Sequence, residues 1–101
     1  MTNEQINIAI AESFPGKFRR EDRPKQWAYW SDGAWRTCRD GSICTDLNAM
    51  QSAIKTLDYT ELLDWHGHNR DIAYRDGTSP ELTNASQRAE AFLKAINAWK
   101  Q

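Results

Sequence analysis

Ser31-Asp32-Gly33 sits between two runs rich in alternating aromatic residues, Gln26-Trp27-Ala28-Tyr29-Trp30 and Ala34-Trp35-Arg36-Thr37-Cys38. An Asp-Gly pair in that setting is a β-hairpin signal, because few residues other than Gly, Asn and Asp accept the positive φ angles of a tight turn. Period-two alternation puts Trp27 and Tyr29 on one face and Trp30 on the other, so both faces carry aromatic surface. A lone hairpin is marginal in water. The rest of the chain must cover it, and the patterns on either side are helical.

Ile6, Ala9 and Ile10 recur at helical spacing from about Asn3 to Ser13. Thr2 and Gln5 form a capping-box pattern, and Pro15-Gly16 stops the helix. Beyond the hairpin, Arg39-Asp40-Gly41-Ser42 reads as a turn. A helix follows from about Asp46 to Leu57, capped by Thr45 or Asp46, with Leu47, Met50, Ile54 and Leu57 on one stripe and Leu47 and Met50 in the core. Tyr59 to His66 either extends that helix or forms a short second one that Gly67 ends. Asn69-Arg70-Asp71 then reads as loop and Ile72-Ala73-Tyr74 as a short strand closed by Asp76-Gly77. The last helix spans about Asn84 to Trp99 with Thr83 as its cap. Its stripe is Ala85, Ala89, Phe92, Ile96 and Trp99, and Glu90 and Lys94 form an i,i+4 pair. This order predicts one α/β domain over 1–101, a small antiparallel sheet sandwiched between helices in α/β/α layers with a helix at each end. A chain of 101 residues buries roughly two-thirds of its unfolded surface, enough for one core.

Thirteen Lys and Arg against fourteen Asp and Glu leave a net charge of −1. That excludes a globally basic nucleic-acid binder, and no stable duplex partner is expected. No apolar run approaches the about 20 residues of a membrane span, so no membrane partner is expected. Met1-Thr2-Asn3-Glu4-Gln5 is polar with no signal-peptide core, which predicts a cytoplasmic protein. In that compartment Cys38 and Cys44 are reduced thiols, one half-buried in a strand and one in a loop. With His66 and His68 they offer zinc donors, but Cys-x5-Cys departs from the two-to-four-residue spacing of structural zinc modules. The histidines read as solvated loop residues, and no metal is expected. There is no glycine-rich phosphate loop, no His-Glu-x-x-His and no Gly-x-Ser-x-Gly, so no cofactor and no catalytic residue is assigned.

The charge is unevenly spread. Lys17 to Arg39 carries seven basic residues (Lys17, Arg19, Arg20, Arg23, Lys25, Arg36, Arg39) and three acidic ones, and Asp40 to Asp64 carries five acidic residues and only Lys55. The simplest account is that the two blocks face each other or pack side by side in the fold. Within the basic block, Trp27, Trp30 and Trp35 with Arg19, Arg20, Arg23, Arg36 and Arg39 are the candidate ligand-binding residues. Aromatic faces stack on bases and arginines pair with phosphates. The plainer use of the same tryptophans is as core or interface residues, with the arginines keeping an edge strand soluble.

Three segments carry a family resemblance: Thr2-Asn3-Glu4-Gln5-Ile6-Asn7-Ile8-Ala9-Ile10-Ala11-Glu12, Asp46-Leu47-Asn48-Ala49-Met50, and Ala85-Ser86-Gln87-Arg88-Ala89-Glu90-Ala91-Phe92-Leu93 with Trp99. In that order they resemble the phage ABA sandwich domain family, small proteins of tailed phages and prophages. The resemblance implies a sheet between helical layers and a phage gene expressed in the host bacterial cytoplasm, where such proteins often act on antiphage defence. It implies no catalytic residues.

The expected function is non-enzymatic capture of a nucleotide-type signalling ligand that counteracts host defence. One alternative is a protein–protein inhibitor of a host protein, with the aromatics as hot spots. Another is a small hydrolase of such a ligand using His66, His68 or a metal. Five tryptophans exceed what one small core needs, which predicts a homodimer.

Overall fold

A computed structural model describes residues 1–22 and 24–100, so the candidate Arg23 lies outside the described residues. The chain runs α1 (Asn3–Ser13), β1 (Phe18–Asp22), β2 (Lys25–Ser31), β3 (Ala34–Thr37), α2 (Leu47–Ile54), α3 (Tyr59–Arg75) and α4 (Ala85–Ala95). Short 3-10 turns occupy Arg39–Gly41, Ile43–Thr45 and Pro80–Leu82. The fold is α/β, with an antiparallel sheet in the order β1-β2-β3 and a helix at each end. Among the described residues no helix is long and apolar enough to cross a membrane.

The hairpin closes as its sequence requires. Trp30 pairs with Trp35 and Ser31 with Ala34, leaving Asp32 and Gly33 as a two-residue loop. Their φ angles of 52° and 78° are the paired positive values of a type I′ turn. β1 was not expected as a strand, because four of its five residues, Arg19, Arg20, Glu21 and Asp22, are charged. It pairs with β2 from Phe18↔Tyr29 to Asp22↔Lys25. As an edge strand it tolerates charge, which discourages pairing with other chains.

One face of the sheet carries Phe18, Trp27, Tyr29 and the following Cys38, all buried in a cluster with Ile6 and Ile10 of α1, Met50 and Ile54 of α2, and Phe92 and Leu93 of α4. Asn7 of α1 stitches this layer to the turn that follows the sheet. Its amide donates to Ser42 Oγ (2.9 Å) and its Oδ1 accepts from the Cys44 backbone N–H (2.9 Å). Cys38 and Cys44 are free thiols as expected, but Cys38 lies just past β3 and is fully buried, as is Cys44 in the Ile43–Thr45 turn. Burial, with Asp46 and Cys44 nearby, pushes the Cys38 thiol up to about 12.

The largest departure from expectation is α3, one helix of 17 residues that continues through Gly67 and includes the segments read as loop and strand. Asp58 and Glu61 form a capping box at its start. Its buried residues are Trp65, Asn69, Ile72 and Ala73, a helical stripe that the amide at 69 disguises. His66 and His68 therefore lie on a helix, not in a loop. α3 packs on α4, where Trp65 Nε1 donates to the Arg88 carbonyl at 3.2 Å. That burial outweighs the about 1 kcal/mol penalty of a mid-helix glycine.

Smaller differences have local causes. Asn84, not Thr83, caps α4 in a box with Gln87. α4 ends at Ala95, not Trp99, because Asn97 adopts φ 60° and the Ala98 N–H reaches back to the Leu93 carbonyl at 2.7 Å. α2 ends at Ile54, and Leu47 is 52% exposed, outside the core. Trp27 and Trp65 are buried and Trp30 is 41% exposed. Trp35 and Trp99 are partly buried, so the tryptophans supply less surplus apolar surface than their number implied.

Around Gly67, a Cβ would meet nothing within 4 Å. Gly67→Ala should therefore raise the unfolding free energy by about 0.5–1 kcal/mol in denaturant titration. A loss of stability would show that α3 is not continuous there.

Acid sensitivity should centre on the α3–α4 seam. Glu90 accepts from Arg75 (2.8 and 3.1 Å) and from Lys94 (2.7 Å). Burial opposes its charge, but these bonds outweigh burial and hold its pKa below the ordinary 4.5. Arg75, helped by Gln87, holds Asp76 down to about 2. Depressed folded-state values mean stability that is complete above the ordinary carboxylate range and is lost as pH falls through the folded values. The thermal midpoint should drop between about pH 4.5 and about pH 2, and the drop should be shallower in Glu90→Gln.

Candidate functional site

The seven candidate residues that are described do not form one site. Trp27 is a core residue whose Nε1 points at Glu4 Oε2 of α1 (3.5 Å). Arg20 lies over the Trp27 ring (6.0 Å) and pairs with the same Glu4 (2.8 Å), so both belong to the sheet–α1 contact. Arg19 stacks on Trp35 on the opposite face at 4.4 Å and pairs with Glu21 at 3.5 Å. Trp35 therefore already holds a cation against one ring face. Trp30 meets the edge of Trp35 in a T-shaped contact with centroids 5.6 Å apart. The exposed Arg39 contributes its backbone, with its N–H donating to Asp46 Oδ2 at 2.6 Å.

Asp46 performs two tasks. Its other oxygen accepts from the Ala49 N–H at 3.0 Å and caps α2, while the bond to Arg39 ties that cap to the chain leaving β3. The turn can pass this close to the sheet because Gly41 has no side chain. A Cβ there would lie 3.3 Å from Gln26 Cβ, at a φ of 69°. These constraints set α2 beside the hairpin.

Between them lies a cleft of about 460 Å³. The strand side gives Lys17, Tyr29, Trp30 and Arg36, and α2 gives Asn48, Gln51, Ser52 and Lys55. No ion pair among the described residues engages Lys17, Arg36 or Lys55. Asp32 is the single carboxylate among the described lining residues. Burial is the main cause that raises the Tyr29 pKa, with Asp46 and Cys38 adding and Arg36 opposing, so the phenol stays protonated and can donate. The cleft thus offers three cations with amide and hydroxyl groups, a set suited to a small anion, while the Trp30 ring lies on the other sheet face against Trp35.

Of the candidates, Arg36 and Trp30 border this cleft, with Arg36 on its face and the Trp30 ring turned to Trp35 on the other. Lys17, Lys55, Gln51 and Ser52 carry no signal of this site in the sequence, because nothing local marks a helix face that meets a hairpin only in three dimensions. The basic and acidic blocks do pack side by side, with the Arg39 N–H on Asp46 and α2 beside the hairpin, but no ion pair among the described residues joins them. Asp46, Asp58 and Glu61 instead sit at helix starts, where they accept backbone N–H bonds or close a capping box. α2 therefore brings Lys55 to the basic block without a compensating carboxylate.

A larger cleft of about 830 Å³ lies between α1 and the C-terminal segment, but Glu12 and Glu61 line it against Lys100. Its charge does not suit an anion. Among the described residues no group of three or more His, Cys, Asp or Glu is placed to hold a metal. No protein-family model matches the chain, and neither curated proteins nor solved structures give a match.

Removing the Asp46 carboxylate leaves two buried-side N–H groups without their acceptor. Asp46→Ala should cost about 2 kcal/mol or more in chemical denaturation, and Asp46→Asn distinctly less. A change within about 0.5 kcal/mol for the alanine variant would show that other contacts hold α2 in place.

Proposed function

We propose that the protein is a non-enzymatic binding protein that captures a nucleotide-type anion in the cleft between the hairpin and α2. The observation that carries this reading is the convergence of Lys17, Arg36 and Lys55, none engaged in an ion pair among the described residues, on a cleft of about 460 Å³ with Trp30 on its lining. Gathering like charges costs free energy in the unliganded protein, and an anion offsets that cost. The described lining contains neither His nor Cys, which favours capture over hydrolysis. The resemblance to the phage ABA sandwich domain family supplies the setting. In a host bacterial cytoplasm, stoichiometric capture of a signalling nucleotide would blunt a defence response.

A second reading, inhibition of a host protein, draws on a different surface. Tyr59, Leu63 and Tyr74 lie exposed on α3 with His66 and Arg70 between them, at spacings of three and four residues. Such a stripe suits a protein partner, and a homodimer would use it equally.

The test is a thermal-shift panel of linear and cyclic nucleotides. A ligand at 100 times its Kd adds about 2.7 kcal/mol and should raise the midpoint by on the order of ten degrees or more. Arg36→Glu with Lys55→Glu should abolish the shift while leaving the unliganded midpoint nearly unchanged. The ligand should be recovered intact after heat denaturation. A flat panel would sink nucleotide capture, and recovered product would make the protein an enzyme.

A further inference from the structure

A second cleft of about 510 Å³ lies between α2, α3 and the Pro80–Leu82 turn. Gln51 and Lys55 line both this cleft and the cationic one, so a single ridge of α2 separates them. The chemistry changes across the ridge. The far side is walled by Ile54, Leu57, Leu62 and the aromatic pair Trp65 and His66, whose rings meet edge to face with centroids 5.1 Å apart. The Trp65 indole is anchored through Nε1 to the Arg88 carbonyl, so this wall is fixed before anything binds.

Asn69 belongs to the same lining and is 4% exposed. Its Nδ2 donates to the Pro80 carbonyl at 3.1 Å, which fixes which end of the amide is which. Its Oδ1 is the one buried side-chain oxygen or nitrogen among the described residues without a hydrogen-bond partner. A buried acceptor left unsatisfied is costly, and such groups in native structures call for a specific explanation. A flat ring carrying N–H donors fits an apolar, aromatic-walled cleft with an unused carbonyl-type acceptor.

We propose that the ligand is a dinucleotide that straddles the Gln51–Lys55 ridge, with one base in the cationic cleft beside Tyr29, its phosphates at Lys17, Arg36 and Lys55, and the second base in the cleft of Trp65, His66 and Asn69. This inference rests on the anion-capture reading and extends it. Lys55 serves both halves, since its ammonium reaches the linking phosphate from the ridge itself. A mononucleotide fills only one half.

The experiment is isothermal titration with AMP and with the linear dinucleotide pApA, on the wild type and on His66→Ala. His66 is exposed on α3, and alanine is a good helix former, so the variant folds. The dinucleotide should bind at least about tenfold more tightly than AMP. His66→Ala should weaken pApA by about fivefold or more, the lower end of what one stacked base contributes, and leave AMP unchanged. Equal affinities for the two ligands would overturn the two-cleft proposal while leaving the cationic cleft standing. So would a variant that weakens both equally or neither. Absence of binding by both ligands would remove the anion-capture reading and this one with it.

Discussion

The Asp46 carboxylate is the constraint on which the arrangement turns. It accepts one bond from the chain leaving the sheet and one from the first turn of α2, so the sheet and the helix share a hinge point that cannot open without exposing two N–H donors. Asn7 adds a second tie from α1 to the same turn, through Ser42 and Cys44. With these two side chains in place, α2 lies along the hairpin and α4 closes the core beneath.

The use of acidic residues as caps has an electrostatic consequence. A carboxylate at a helix start satisfies backbone donors and meets the positive end of the helix dipole. Asp46, Asp58 and Glu61 are committed there and do not neutralise the basic hairpin. The arginines of the hairpin divide by strand face. Arg20 turns inward to Glu4, Arg19 stacks outward on Trp35, and Arg36 remains over the cleft. Arg20 and Arg36 share the inner face, so the partner decides between them: Glu4 holds Arg20, and no ion pair among the described residues holds Arg36.

α3 shows how a helix can hide in a sequence. Gly67 looks like a stop and Asn69 breaks the apolar pattern, yet both are tolerated in one helix. The glycine faces open space, and the asparagine is buried against the Pro80–Leu82 turn. The same asparagine is the polar anomaly in the second cleft. A feature that obscured the secondary structure thus marks the place where the interior keeps an unused acceptor.

The sequence by itself determined the local elements. Asp32-Gly33 required the tight turn, Thr2 with Gln5 capped α1, and the Ala85, Ala89 and Phe92 stripe defined the buried face of α4, because each depends on residues within a few positions of one another. The α/β class followed from their order. Tertiary structure decided the rest. It recruited the charged strand β1 through pairing with β2, carried α3 past its glycine through packing on α4, and assembled Lys17, Arg36 and Lys55 from three separate elements. Those outcomes depend on burial and proximity between residues far apart in the chain, and no local pattern encodes them.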